Sequence, residues 1–271
     1  MTGDGTLRDH VPDIPVPARE GGAWLLDLVR VMARLRGPGG CPWDAEQDHR
    51  SLAKHLLEET HEVLDAIDSD DPERLRDELG DLLLQVVFHA EMAREAGDYD
   101  IDDVAEGIVA KLVRRHPHVF GDVEVSGAGE VLTNWEKIKA DEKGGEVGHL
   151  ERDIPATLPA LARASKVQRR AAGFGFEWKT AEAALAKLRE EVEELATASP
   201  DETEDELGDV LFAATAVARR LGVDPESALR RTTNRFADRY ERMRGRAEED
   251  GADLEAMSED ELLAYFRANR D

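Results

Sequence analysis

Apolar residues return at helical spacing in AWLLDLVRVMARLR, residues 23–36, so an amphipathic helix is expected there. The stretch GPGGCPWDAEQ then interrupts the period and reads as a loop, because Gly and Pro both leave the helical backbone easily. Three more helices are expected at Ser51–Ile67, Pro72–Ala96 and Asp102–Arg115. The segment HPHVFGDVEVSGAGE breaks the pattern, NWEKIKADEK suits a short helix, and GGEVGHLERDIPATLP reads as a linker. On the helix from Ser51, the residues Leu52, Leu56, Val63, Leu64 and Ile67 share one broad apolar face. The next helix contains ELGDLLLQVVFHA, which is apolar around most of its circumference and is expected to be largely buried.

The pattern then repeats. LLEETHEVLDAI followed by RDELGDLL is matched, after the linker, by LREEVEELATA followed by EDELGDVL. DELGD occurs at Asp77–Asp81 and at Asp205–Asp209, and a paired-glutamate motif occurs as Glu58-Glu59-x-x-Glu62 and Glu190-Glu191-x-x-Glu194. Each copy has a Trp–acid pair upstream, Trp43-Asp44 and Glu177-Trp178, and KLVRRH downstream of the first copy matches RFADRY in the second. The same features in the same order predict two copies of one helical domain. Its expected boundaries are a mobile tail at 1–20, a first domain at 21–143, a linker at 144–158 and a second domain at 159–271.

The carboxylates pose an electrostatic problem. Like charges three and four residues apart repel on a helix, yet Glu58, Glu59 and Glu62 crowd into less than two turns. Glu59 falls at the edge of the apolar face, beside Leu52 and Ala66, with Glu62 next to it. On the following helix Glu78, Asp81, Gln85 and His89 form one narrow polar stripe. Side-by-side packing of the two helices brings Glu59, Glu62, Glu78 and Asp81 to one point. Four hard oxygen donors suit Mg²⁺ or Mn²⁺, and a cation would offset the repulsion. A di-iron bundle also uses inward glutamates but needs Glu-x-x-His from two helices. Only Glu58-x-x-His61 matches, since Glu193 stands at the second copy's equivalent position.

Composition narrows the classes further. The chain of 271 residues is 41% apolar and 35% charged, and sixty acids against thirty-five Lys and Arg leave a formal charge of −25. That balance disfavours nucleic acid as a partner while allowing a small anionic substrate beside a cation or a local basic cluster. Cys41 is the single cysteine, so no intrachain disulfide is expected and a reducing, cytoplasmic setting fits. Nothing in the chain is long and apolar enough to suggest a membrane span, and the first residues lack the basic start and apolar core of a signal peptide.

The EExxE and ExxD arrangement resembles the all-α nucleoside triphosphate pyrophosphohydrolases. Within them GCPWDAEQ, LLEETHEVLDAI, DELGDLL, RRHPHVFGD, NWEKIK and AAGFGFEW resemble tandem-domain MazG proteins, from about Trp24 to the C-terminus. The resemblance implies an all-α fold of two helical bundle domains that assembles as a homodimer. It implies Mg²⁺-dependent hydrolysis of nucleoside triphosphates to monophosphate and pyrophosphate. Its metal positions fall on Glu59, Glu62, Glu78 and Asp81, and on Glu191, Glu194, Glu206 and Asp209, with Glu58 and Glu190 holding a second ion or orienting water. Basic side chains are then expected at the phosphates, the candidates being Lys111 and Arg115 in the first copy and Arg235 and Arg239 in the second. The family's C-terminal tryptophan has Tyr265 or Phe266 as its nearest counterpart, so Phe266 and, more weakly, Trp178 are the nucleobase candidates.

Other features read as structural. Trp43 and Trp178 suit packing anchors at the mouth of each site, with base contact as the alternative. His116-Pro117-His118 suits a corner, with metal binding as the alternative, and Cys41 suits a buried small residue without a base to activate it. No Walker-type Gly-rich loop occurs. The rival from another class is an acidic helical regulator whose carboxylates hold a partner or a structural cation; it would bind metal without turning over nucleotide.

Overall fold

The computed structural model describes residues 23–127, 129–131, 134, 135, 138, 150 and 154–268, and these are helical with short connections and no strands. The chain divides into two compact units, residues 1–146 and 147–271. In the first unit the helices are α1 (Ala23–Arg36), α2 (Pro42–Glu46), α3 (Ala53–Asp68), α4 (Pro72–Ala96), α5 (Ile101–Arg115) and α6 (Pro117–Phe120). In the second they are α7 (Ala160–Gly173), α8 (Ala181–Thr197), α9 (Thr203–Arg220), α10 (Pro225–Asp250) and α11 (Glu259–Ala268), with a 3₁₀ turn at Leu254–Ala256 before the last.

Local chemistry sets the ends of these helices. The Asp71 carboxylate accepts from the Glu73 and Arg74 amides, Pro72 opens α4, and Gly97 closes it with φ 78°. Asp and Pro satisfy the free amides and pre-set φ at the start, while only glycine enters the left-handed region cheaply at the end. Asp224, Pro225 and Gly251 do the same for α10. Asp100 and Asp103 form a capping box on α5, and the Thr180 hydroxyl caps α8. The loop expected at residues 37–47 contains a short helix, α2, which Pro42 starts. The helix expected at 134–143 and the linker expected at 144–158 fall largely outside the described residues.

Both units use the same central motif. Helices α3 and α4, joined by three residues, pack side by side with α1 against α4; α8 and α9 pack side by side with α7 against α9. The first unit's core joins Met32 of α1, Leu52, and Val87, Phe88 and Met92 of α4, with Leu28, Val29, Leu84 and Ile101 around it. The second unit is packed with smaller groups, Ala184, Ala213, Thr215, Ala216, Met243 and Ala247.

Burial departs from the periodicity in one respect. Helix α4 is buried only over its second half, while Leu79, Leu83 and Val86 are exposed in the stretch beside the carboxylates. On α3 the buried residues are Val63 and Ala66, and Leu56 and Ile67 of the expected apolar face are exposed. Each unit has too few helices to cover every apolar stripe of its central pair. Truncating Phe88 to Ala, which empties the packed end of that pair, is expected to cost about 3–5 kcal/mol in denaturant unfolding, whereas Leu79→Ala in the isolated chain stays within about 1 kcal/mol.

Candidate metal centres

In the first unit Glu59, midway along α3, faces Glu78 and Asp81 from the first turns of α4, and one carboxylate oxygen from each lies within 4.8 Å of the others. Glu62 is exposed and shares a hydrogen bond with Glu59. The Arg74 guanidinium stands 3.5 Å from Glu78 on the outer side. Burial, and then the charges of Asp81, Glu62 and Glu78, push the Glu59 carboxyl above the usual carboxylate range.

The second unit repeats the geometry with one addition. Glu191 of α8, buried to 7% exposure, meets Glu206 and Asp209 of α9, again with oxygens within 4.8 Å. Glu194 is hydrogen-bonded to Glu191, and that bond pushes its carboxyl up. Lys187, one turn before Glu191, places its ammonium 2.6 Å from Glu190 and 2.9 Å from Glu191. The lysine holds the Glu191 carboxyl down, and its own ammonium is pushed up by the two glutamates. In the first unit the equivalent position is His55, whose Nδ1 lies 2.9 Å from Glu58. Lys187 escaped the sequence reading although its spacing, four residues before Glu191, was visible.

A divalent cation fits both clusters. The donors are all hard carboxylate oxygens, and an ion with oxygen ligands at about 2.1 Å holds opposite ligands about 4.2 Å apart. Oxygens already within 4.8 Å need only small shifts to reach that. The repulsion that raises Glu59 is also relieved by such an ion.

The other candidates are distributed as follows. Glu58 and Glu190 are exposed and bonded to His55 and Lys187. Lys111 is exposed on α5, and the Arg115 guanidinium lies over the Trp135 ring at 5.5 Å. Arg235 donates to Thr232 Oγ1 at 2.9 Å and has no ion pair with the second cluster among the described residues. Arg239 lies 3.8 Å above the Phe266 ring and donates to the Phe266 carbonyl, so a phosphate candidate meets the nucleobase candidate. Phe236 adds a ring 5.3 Å from Phe266, while the Tyr265 hydroxyl donates to Asp250. Trp178 is half-buried and Trp43 exposed. The His116 ring bonds the Leu112 carbonyl at the α5–α6 corner. Gln85 and His89 extend the polar stripe into the protein, where His89 Nδ1 meets His49 Nδ1 at 2.8 Å.

In both units arginines fasten the tryptophan-bearing segment that precedes the carboxylate pair in the chain. Arg36 is paired with Glu95 at 2.7 Å and donates to the Asp44 and Gln47 carbonyls. Arg219 and Arg220 both reach Glu177, at 2.5 and 3.1 Å, and Arg220 also donates to the Lys179 carbonyl.

Comparison with known proteins gives consistent matches over this same region. The family model described as MazG nucleotide pyrophosphohydrolase domain matches residues 47–120 and 179–243, segments that contain both carboxylate sets. The chain is 44% identical over 249 residues to the nucleoside triphosphate pyrophosphohydrolase/pyrophosphatase MazG of Thermotoga maritima, covering 92% of this chain and 96% of that one. It is 45% identical over 246 residues to the nucleoside triphosphate pyrophosphohydrolase of Escherichia coli K12, covering 86% and 93%. A nucleoside triphosphate pyrophosphohydrolase of Mycolicibacterium smegmatis is 36% identical over 256 residues, covering 93% and 72%.

The raised Glu59 carboxyl gives a signed prediction. A carboxyl that holds its proton more tightly when folded stabilises the protein at low pH, and that contribution is lost as pH rises from the unfolded value through the raised folded one. In metal-free buffer near neutral pH, Glu59→Gln is therefore expected to raise Tm by about 1–3 °C. Added Mg²⁺ is expected to stabilise the wild type more than this variant, and calorimetry over a pH series checks both signs.

Proposed function

This chain belongs to the MazG family, and on that footing we propose that it is a nucleoside triphosphate pyrophosphohydrolase. It converts NTPs and dNTPs to monophosphate and pyrophosphate with Mg²⁺, Mn²⁺ being a possible substitute. The observation that carries the reading is the convergence of three carboxylates on one point in each unit, Glu59, Glu78 and Asp81, and Glu191, Glu206 and Asp209. The same domains, with the boundaries 21–143 and 159–271, carry out this role inside the cytoplasm, in keeping with the single Cys41 and with the absence, among the described residues, of a helix able to cross a membrane. Nucleotide-pool clean-up or control of a signalling nucleotide is the purpose that suits such an activity.

Glu59, Glu62, Glu78 and Asp81 would hold the ion in the first unit, and Glu191, Glu194, Glu206 and Asp209 in the second. A divalent cation bound there neutralises phosphate charge and makes a nearby water more acidic. The chain's own residues do the rest. Water adds its oxygen to the α or the β phosphorus, the anhydride bond between those two phosphoryl groups breaks, and pyrophosphate or the nucleoside monophosphate, respectively, leaves with the electron pair. The water's proton passes to a carboxylate outside the ligand set, for which Glu58 and Glu190 are placed, each beside a cationic or ring nitrogen that orients one oxygen. Arg235, Arg239, Lys111 and Arg115 receive phosphate oxygens, and Phe266 or Trp178 the base. Arg239 and Phe266 already form one stacked unit.

A homodimer completes the proposal. Leu79, Leu83 and Val86 on α4, and Leu207, Leu211 and Phe212 on α9, are exposed beside the carboxylates. Apolar stripes of this extent are covered in stable proteins, and a second copy supplies a matching stripe by symmetry. Light scattering at micromolar concentration is expected to give twice the chain mass.

The deciding test is product analysis with each NTP and dNTP in Mg²⁺, for the wild type, Glu59→Gln, Glu191→Gln and the double variant. Monophosphate plus pyrophosphate is expected from the wild type, with a fall of about 10²-fold or more in the double variant. Metal binding without turnover of any nucleotide would replace this reading with that of an acidic regulator.

A further inference from the structure

His49 and His89 take no part in the carboxylate centres, yet they meet across forty positions of chain, with their Nδ1 atoms 2.8 Å apart. The two ring planes are 3° from parallel. His49 is exposed in the turn before α3, while His89 is half-buried on α4 beside the core residues Phe88 and Ala90. The His89 Nε2 atom is fully buried and bonds to nothing among the described residues. The Gln85 amide oxygen, one turn back on α4, is likewise buried without a partner and does not meet it.

These contacts decide where the protons sit. Two ring nitrogens at this distance need one donor and one acceptor. A proton on the buried Nε2 would be a donor with no acceptor, which is costly, so His89 carries its proton on Nδ1 and donates. His49 accepts on Nδ1 and keeps its own proton on Nε2. A further proton has no comfortable place. On His49 Nδ1 it sets two N–H groups against each other; on His89 Nε2 it buries an unpartnered N–H, whichever ring then donates across the contact. In keeping with this, burial and then the charge of His49 hold the His89 ring below its ordinary range.

The contact fastens a segment. The Asp48 carboxylate accepts from the Arg50 and Ser51 amides, and the Ser51 hydroxyl donates to Gln47, so His49 projects from a tight turn. Arg36 grips the same segment through the Asp44 and Gln47 carbonyls, and Leu52 roots its end in the core. The charged groups of the surrounding elements are Asp48 and Arg50 on either side of His49, Arg36 of α1 with its partner Glu95, Glu59 of α3, Asp81 two turns before His89, and Asp100 and Asp103 at the start of α5. The charge that acts on His89 is that of its partner ring. The second unit fastens its segment without imidazoles. Counting from DELGD, Val217 stands where His89 does, and Arg219 and Arg220 hold Glu177 instead. Guanidinium and carboxylate both keep their charge through the range in which an imidazole titrates.

We propose that the His49–His89 contact is a proton-operated latch: it is closed while the pair is neutral, opens when a further proton enters, and then frees the Trp43–Ser51 segment from α4 in the first unit alone. A ring held below its ordinary value favours the closed state above that value, and this contribution is lost as pH falls through 6.5 and below.

Amide hydrogen exchange of the full-length, metal-free protein, read by mass spectrometry at about pH 8 and about pH 5.5 and corrected for intrinsic rates, tests the latch. Protection over residues 47–52 is expected to fall about three- to tenfold at the lower pH, which is what one net hydrogen bond supports. Residues 177–183, around Glu177, are the internal reference and are expected to keep theirs. His49→Asn and His49→Ala are both expected to lose the pH response. The first stays near the protected level, because its amide oxygen accepts from His89 and does not titrate, and the second stays near the open level. The substituted position is exposed, and far-UV circular dichroism verifies each fold. Equal protection of residues 47–52 at both pH values in the wild type, or a pH response that persists in either variant, overturns the latch.

Discussion

Everything in each unit is arranged around carboxylates that repel one another across a pair of packed helices. At a separation under 5 Å this repulsion is strong when water is partly excluded, so the helices must be clamped together by something else. In the first unit the clamp is at the far end of α4, where Val87, Phe88 and Met92 lock onto Met32 and Leu52. The charged end is left near the surface, where an ion can enter and the desolvation cost stays moderate. That division explains why α4 is buried over one half only.

The two units relieve the same repulsion differently. The second has an internal cation, since Lys187 bridges Glu190 and Glu191 and holds the latter ionised. The first has a histidine there that reaches only Glu58, and Glu59 stays above its ordinary range. An ion in the first unit would meet carboxylates that no described lysine bridges; one in the second would compete with the Lys187 ammonium for the same oxygens. The two candidate ligand sets are the same in kind, but among the described residues only the second has an ammonium bonded to one of its carboxylates.

Much of this was legible in the sequence, and the physics says which parts. The bounds of α4, Pro72–Ala96, followed from Asp71-Pro72 at one end and Gly97 at the other, because capping is local chemistry. The meeting of Glu59 with Glu78 and Asp81 followed from helical period plus a short turn, which forces the two helices together. Exposure of Leu56, Ile67 and Leu79 did not follow, since periodicity marks which side chains are apolar but not which of them find a partner. Nor did α2, five residues long, which is set by Pro42 and by Arg36 gripping its carbonyls from another helix. Arg239 stacking on Phe266 joins α10 to α11 across twenty-seven positions, a contact that spacing alone does not reveal.

The divergence between the repeats is informative because it is selective. The four candidate ligand positions of each copy all carry Glu or Asp, while residues just ahead of them in the chain differ in charge: Arg50 against Glu182, Lys54 against Ala186. If the carboxylates served only as solvated helix surface, nothing would tie their type to position while their neighbours drift.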